Sequence, residues 1–255
     1  MKNFLLLSAI MAGLGLSPAL AQFGAHAGAE GPHLGGAMNK LFGDQQAFSA
    51  SLEINTATTN ESGITMPGKF SHSGSKDRFE INMGDVKGSR MSASLLQQMK
   101  AMGMDVVITI SRPDLQRSYL VYPGLTSYAE SLDQKTTDST NLDDYKMQVT
   151  ELGKESLDGH DCVKKKVIVT DKNPGQHEFI VWNATDLKNF PVKIEATEVG
   201  QSAHMHFKDV SFDPPAASLF DPPSGFTKYN DLTTMMQTEL LKKMGGGAGQ
   251  PPAGH

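Results

Sequence analysis

His204 and His206 stand two residues apart, a spacing that on a β-strand turns both imidazoles to one face and would let them share a metal ion. Lys208 continues that face, and its ammonium repels a cation, while Met205 and Phe207 take the opposite, dry face. Two imidazoles are also fewer than a closed metal site requires, so a solvated strand face is the simpler reading. His160 and His177 could complete a site only through tertiary proximity. The 14 methionines raise a second metal reading, because thioethers are soft ligands that suit copper. Five of them, Met99, Met102, Met235, Met236 and Met244, fall on two helical stripes instead, where Met is an adaptable packing residue and would equally suit a flexible acyl chain. Asp138, Asn141, Asp143 and Asp144 resemble an oxygen-ligand calcium loop but lack its fixed spacing and glycine, and a solvated connection accounts for them. Cys162 is the only cysteine, which rules out an internal disulfide and reads as a small, buried apolar side chain.

Motifs that commit a chain to a reaction are absent: H-E-x-x-H, G-x-S-x-G, G-x-x-x-x-G-K-[ST] and C-x-x-C do not occur. The expectation is a protein that is not an enzyme and needs no cofactor. A net charge of −5 offers no field for nucleic acid.

The elements that must position these groups are mostly strands. Phe48, Ala50, Leu52 and Ile54 alternate with Ser49, Ser51, Glu53 and Asn55, the period of a strand with one wet and one dry face. Phe79, Ile81 and Met83 alternate with Arg78, Glu80 and Asn82, after a turn that closes a hairpin from Lys69-Phe70. A Pro-Asp turn joins a strand at 105–110 to one at 117–122, and runs at 163–170, 178–182, 192–197 and 204–212 continue a meander. Two helices are expected. Ser92 to Met102 carries Leu95, Leu96, Met99 and Met102 at helical spacing before a capping Gly103, and Leu232 to Met244 carries a stripe of Leu and Met. Both stripes need the dry face of the sheet as a partner. The fold class expected is mainly β (α+β), a curved antiparallel half-barrel sheet covered by a few helices. The segment 183–194 leaves one strand, turns through polar residues and re-enters at Pro191, while each Pro-Pro of 213–226 blocks a sheet ladder, so Phe220 and Phe226 are expected on a stiff, edge-capping segment.

The ends differ from this core. Lys2, the apolar stretch Phe4 to Leu16 and Ala19-Leu20-Ala21 make residues 1–21 a secretory signal peptide, cleaved before Gln22. No cysteine follows the cleavage site, and no later segment reaches the length of a membrane helix. The mature chain is therefore expected to be soluble, periplasmic or secreted, and not an integral membrane protein. Residues 22–45 read as a flexible Gly/Ala-rich arm, 46–230 as one β-rich domain, 231–244 as a C-terminal amphipathic helix and 245–255 as a Gly/Pro tail.

The order Glu155-Ser-Leu-Asp-Gly-His-Asp-Cys162, the strand Val163 to Val169, the run Val181 to Ile194 and the element Leu219-Phe-Asp-Pro-Pro-Ser-Gly-Phe226 resemble exported bacterial proteins grouped as domain of unknown function 4412. Those in turn are similar to the periplasmic lipoprotein carriers LolA and LolB. The resemblance covers roughly residues 48–229 and implies a LolA-like half-barrel that binds a lipid or acyl chain; it carries over no ligand residue. The leading expectation is a non-enzymatic periplasmic carrier whose hollow is lined by Phe79, Ile81, Val107, Leu120 and Met99. The second is a non-catalytic envelope module that binds a protein partner and whose hollow is simply a filled core. The third is a metal-binding protein or hydrolase using His204 and His206.

Overall fold

The computed structural model describes residues 36–58, 61–88, 91–132, 142–170, 176–198 and 201–245; residues 1–35, with the expected signal peptide and most of the arm, lie outside them, as do Asp138 and Asn141. Twelve strands form one sheet: β1 (Ala47–Thr58), β2 (Glu61–Ser73), β3 (Lys76–Asn82), β4 (Val106–Arg112), β5 (Arg117–Tyr122), β6 (Ser127–Leu132), β7 (Lys146–Leu157), β8 (His160–Thr170), β9 (Gln176–Ala184), β10 (Phe190–Glu198), β11 (Gln201–Ser211) and β12 (Thr227–Tyr229). Their spatial order is β12-β6-β5-β4-β3-β2-β1-β11-β10-β9-β8-β7. Every pair is antiparallel except β12 with β6. The expected large antiparallel sheet with few helices is what the chain builds, curved as a half-barrel. It is not one meander but two, β1–β6 and β7–β11, joined where β1 pairs with β11.

Residues paired across antiparallel strands share a face, so register shows which side chains line the hollow. Ala50, Leu52 and Ile54 of β1 stand opposite Phe70, Gly68 and Met66 of β2, and Leu52 and Ile54 also stand opposite Phe207 and Met205 of β11. The same face continues through Phe79 and Ile81, then Val107 and Thr109, then Leu120 and Ala129. At Gly68 a Cβ would come within 2.5 Å of the Glu80 carbonyl, so only glycine lets β2 and β3 approach there.

Three pieces cover this concave face. Helix α1 (Gly36–Asn39) and the 3-10 turn Lys40–Phe42 bury Met38, Leu41 and Phe42, with the Phe42 ring 5.0 Å from Phe48, 5.4 Å from Phe190 and 5.6 Å from Phe207. The arm expected to be loose up to residue 45 is thus part of the core from Gly36 onward, because Met38, Leu41 and Phe42 repeat at helical spacing. The crossover from β6 to β7 adds the buried Tyr145 against the same cluster. Helix α3 (Leu232–Gly245) covers the far end, and the C-terminal end of α2 (Ala93–Met102) lies beside it. Ser92 caps α2 by accepting the Leu95 N–H, Gly103 ends it in the left-handed conformation, and Asp231 accepts the Thr234 N–H at the start of α3.

The other face is largely charged in the centre and carries an apolar cluster over β4 and β5. There Ile108, Ile110, Tyr119 and Val121 are roofed by Phe220, fully buried, and by Phe226. Arg112 ties this strap down by donating to the Phe220 carbonyl at 3.3 Å and to the Asp221 carboxylate. The Pro-rich segment does cap the β6 edge through β12, but its phenylalanines are roofing rather than display.

The aromatic cluster around Phe48 carries the hollow's stability. Phe48→Ala should cost about 3–5 kcal/mol, the range for a buried Phe truncation, read as a lower midpoint in denaturant unfolding. Leu241, which is 69% exposed, should tolerate Ala within about 0.5 kcal/mol in the same assay.

Candidate functional site

The five residues expected to line the hollow do not form one unit. Phe79 and Ile81 are 2% and 8% exposed and belong to the central core with Phe48, Phe70 and Phe207. Val107 is half-buried and bridges that core to a second cluster, where Leu120 joins it beneath Met235 of α3, a residue with no exposed surface. Met99 is buried on α2 and belongs to neither cluster. The hollow therefore has a closed centre and a far end, over β4–β6, where α3 lies directly on Tyr122, Leu120 and Ala129.

A polar contact holds α3 in place. Glu239 is buried, and its Oε1 accepts from the Ser127 hydroxyl at 2.9 Å, from the Tyr229 hydroxyl at 2.7 Å and from the Lys242 ammonium at 2.9 Å. Burial alone would raise this carboxyl; the donations from Tyr229, Lys242 and Ser127 outweigh it and hold the group below the usual carboxylate range. Lys243 donates to the Met102 carbonyl at 2.6 Å and so joins α3 to the C-terminal end of α2. Beside it α2 meets the β5–β6 turn, where a Cβ on Gly103 would lie 2.5 Å from the Gly124 carbonyl and one on Gly124 would lie 2.5 Å from the Gly103 carbonyl. Between these contacts lies a recess of about 200 Å³, open to solvent, lined by Met102, Met104, Leu125, Met236, Glu239, Leu240 and Lys243.

Sequence reasoning missed Glu239, Ser127 and Tyr229. The signal for Glu239 was present: it sits four residues after Met235 on the apolar stripe, and an ionisable group there needs a buried partner.

His204 and His206 do share the convex face, yet they serve separate carboxylates. His204 Nδ1 lies 3.1 Å from Glu195, and His206 Nε2 lies 2.6 Å from Asp158 at the β7–β8 turn. Burial lowers the His206 pKa in spite of Asp158. Lys193, opposite His206 in register, brings a second ammonium to the patch. Among the described residues no cluster of three His, Cys, Asp or Glu side chains could hold a metal. His160 pairs with Asp186 at 2.7 Å and His177 stacks on Phe179, so neither joins the pair. Cys162 is buried, and burial pushes its thiol pKa up, away from reactivity. Among the described residues, one histidine–carboxylate pair is sealed in the core: His72 Nδ1 to Asp77 at 2.7 Å was not singled out by pattern, and it is 3% and 2% exposed beneath Phe42, beyond reach of a substrate.

No family model matches the chain, and no curated protein matches it. Similar solved structures include a LolA superfamily protein from Nitrosomonas europaea, at 15% identity over 72% of this chain and 94% of that one, TM-score 0.35. Lipoprotein LppX from Mycobacterium tuberculosis is similar at 11% identity over 68% and 92%, TM-score 0.39. The complex of MucA and MucB from Pseudomonas aeruginosa follows at 15% identity over 74% and 60%, TM-score 0.36. At these identities and scores the functional reading has to come from the chain's own residues.

The depressed Glu239 pKa makes α3 docking depend on pH. A carboxyl whose folded pKa lies below its unfolded value stabilises above the unfolded pKa, and that contribution disappears as pH falls through the folded one. Hydrogen-exchange protection in 232–245, taken relative to the intrinsic rate at each pH, should therefore fall on acidification below the usual carboxylate range. Glu239→Gln should flatten that pH dependence, and exchange in β1 and β11 should not follow it.

Proposed function

We propose that the chain is a non-enzymatic exported binding protein, of the half-barrel carrier kind, that takes a lipid or acyl chain on the concave face over β4–β6 once α3 lifts. The resemblance to domain of unknown function 4412 belongs to this reading. One observation carries it: the apolar face formed by Val107, Leu120, Tyr122 and Ala129 is covered by a single terminal helix, not by the interior of the sheet. No helix among the described residues is long and apolar enough to cross a membrane.

Magnitudes support an exchange of helix for ligand. α3 buries one side chain completely, Met235, and Leu232, Met236 and Leu240 in part. At roughly 1.5–3 kcal/mol for a fully buried side chain, the helix gains on the order of 5 kcal/mol from apolar burial. An acyl chain gains about 0.8 kcal/mol per buried methylene, so roughly six or seven methylenes match the helix. To displace α3 an acyl chain must also offset the cost of association and the lost Glu239 contacts, so the ligand this reading requires is a long one. Phe79 and Ile81 are poor probes of such a site, since their burial makes any charge there a folding defect. Leu120 and Val107 are the informative positions.

A second reading has an observation of its own. The centre of the hollow is filled by Phe42, Phe48, Phe70, Phe190 and Phe207, and the recess beside α3 is a shallow opening with almost no enclosed space, where an organic ligand needs roughly 300–1,000 Å³. A protein-binding envelope module with a solid core fits that closure.

The two readings part in native mass spectrometry of the chain purified from an envelope fraction, followed by solvent extraction. Carriage requires a stoichiometric lipid or acylated species, lost in Leu120→Asp while the circular dichroism spectrum is kept. A clean, ligand-free chain that also fails to take up a long-chain fatty acid would end the carrier reading in favour of the module.

A further inference from the structure

Not all of the concave face is apolar. From β2 to β6 the row His72, Asp77, Ser111, Ser118 and Ser131 runs strand by strand in register, directly beside the row Phe79, Thr109, Leu120 and Ala129. The first two members satisfy each other, His72 Nδ1 with Asp77 at 2.7 Å, and are covered by Phe42 and Phe48. The hydroxyls are left over. Thr109 Oγ1 and Ser118 Oγ are buried atoms without a hydrogen-bond partner among the described residues. Buried polar atoms are nearly always hydrogen-bonded, so two exceptions side by side point to a partner from outside the chain. They are diagonal neighbours on β4 and β5, roughly 7–8 Å apart at Cα, and Ser111 stands between Ser118 and Asp77. Ser118 and Ser131 keep part of their surface open, so the patch is not sealed.

Its place and its charge select the partner. Ser131 lies four residues along β6 from Ser127, the residue that anchors Glu239, which is roughly 13 Å of strand. The hydroxyls therefore stand at the opposite end of β4–β6 from the α3 anchor, with Leu120 and Ala129 between the two. The cations of these strands, Lys69, Lys76, Arg78, Arg112 and Arg117, all take the convex face in register, and Asp77 is the only carboxylate near the row. An anionic head would be desolvated there beside a carboxylate and without a counter-charge. Hydroxyls both donate and accept, and so match the ester carbonyl and free hydroxyl of an uncharged head.

We propose that Thr109, Ser111 and Ser118 bind the uncharged head of the carried lipid, an acylglycerol-type ester with a free hydroxyl, while its acyl chain runs across Leu120 and Ala129 beneath α3. The proposal rests on the carrier reading and narrows its ligand class to neutral lipids.

The test compares monopalmitoylglycerol, palmitate and palmitoyl lysophosphatidate, which share one acyl chain, by displacement of a fluorescent palmitoyl probe from the full chain. At about pH 8, above the usual carboxylate range, palmitate is anionic. A hydrogen bond is worth roughly two- to tenfold in affinity, so the acylglycerol should bind at least about tenfold tighter than palmitate, with lysophosphatidate no better than palmitate. T109V/S111A/S118A removes hydroxyls that the fold does not use, so it should keep its unfolding midpoint and its palmitate affinity and lose the preference for the acylglycerol. Thr109→Ser, which retains the hydroxyl, should retain the preference. Equal binding of acylglycerol and palmitate, or a preference that survives in the triple variant, would overturn the proposal and leave the carrier reading standing. A lowered midpoint in the triple variant would assign the hydroxyls to the fold and overturn it as well. Failure of all three lipids to bind would end both.

Discussion

The pairing of β1 with β11 is the contact on which the rest depends. Two meanders, each able to form from neighbouring strands, become one sheet only through this ladder, which joins residues some 150 positions apart. Loop closure over such a separation is entropically expensive, and the dense aromatic cluster over the junction is what offsets it. Phe48 of β1 and Phe207 of β11 face each other there, 6.2 Å apart, and Phe42, Phe70 and Phe190 complete the packing. A hollow that might have held a ligand along its whole length is therefore committed at its centre to holding the two halves of the sheet together.

That commitment divides the concave face into parts with different tasks. Over β1, β2, β10 and β11 the covering is the chain's own N-terminal turn, locked by rings. Over β4–β6 it is a terminal helix held by one buried methionine and one buried carboxylate. The opposite face repeats the contrast: a Pro-rich strap seals β4 and β5, and the central strands carry a ladder in which Glu53, His206, Lys193, Trp182 and Lys164 follow one another in register. Lys164 and Lys193 each lie 4.5 Å from the Trp182 ring, so this face is satisfied by its own charges and asks for no metal.

Legibility in the sequence followed exposure. Strands with one dry face announced themselves: Phe48 to Ile54 and Phe79 to Ile81 alternate because one side is core and the other water, although Met83, which seemed to extend the second, begins a 3-10 turn. β7 gave no alternation, since nearly all of its side chains are exposed, yet Asp158-Gly159, both at positive φ, is the tight-turn pair that marks a hairpin and could have revealed it. Helices α2 and α3 were legible from their stripes, and α2 also from its capping Gly103, whereas α1 was hidden in the Gly/Ala-rich arm. The crossing of chain between β6 and β7 was not, because nothing local says that consecutive strands will stand at opposite ends of a sheet. The hollow's residues were read correctly as apolar, but periodicity tells which side of a strand is dry and not whether that side faces a cavity, a helix or another ring.

Glu239 shows why the covering helix differs from the core beneath it. An apolar residue at that position would bury more surface and hold α3 without regard to conditions. A carboxylate instead gains from three donors only while they are in place, and water takes over its solvation once the helix parts from the sheet. Attachment through such a group is specific and tight in one geometry, poor in any displaced one, and sensitive to protonation. Those are the properties that the proposed exchange of α3 for a ligand requires: a part that seats in one position and is loosened by protonation.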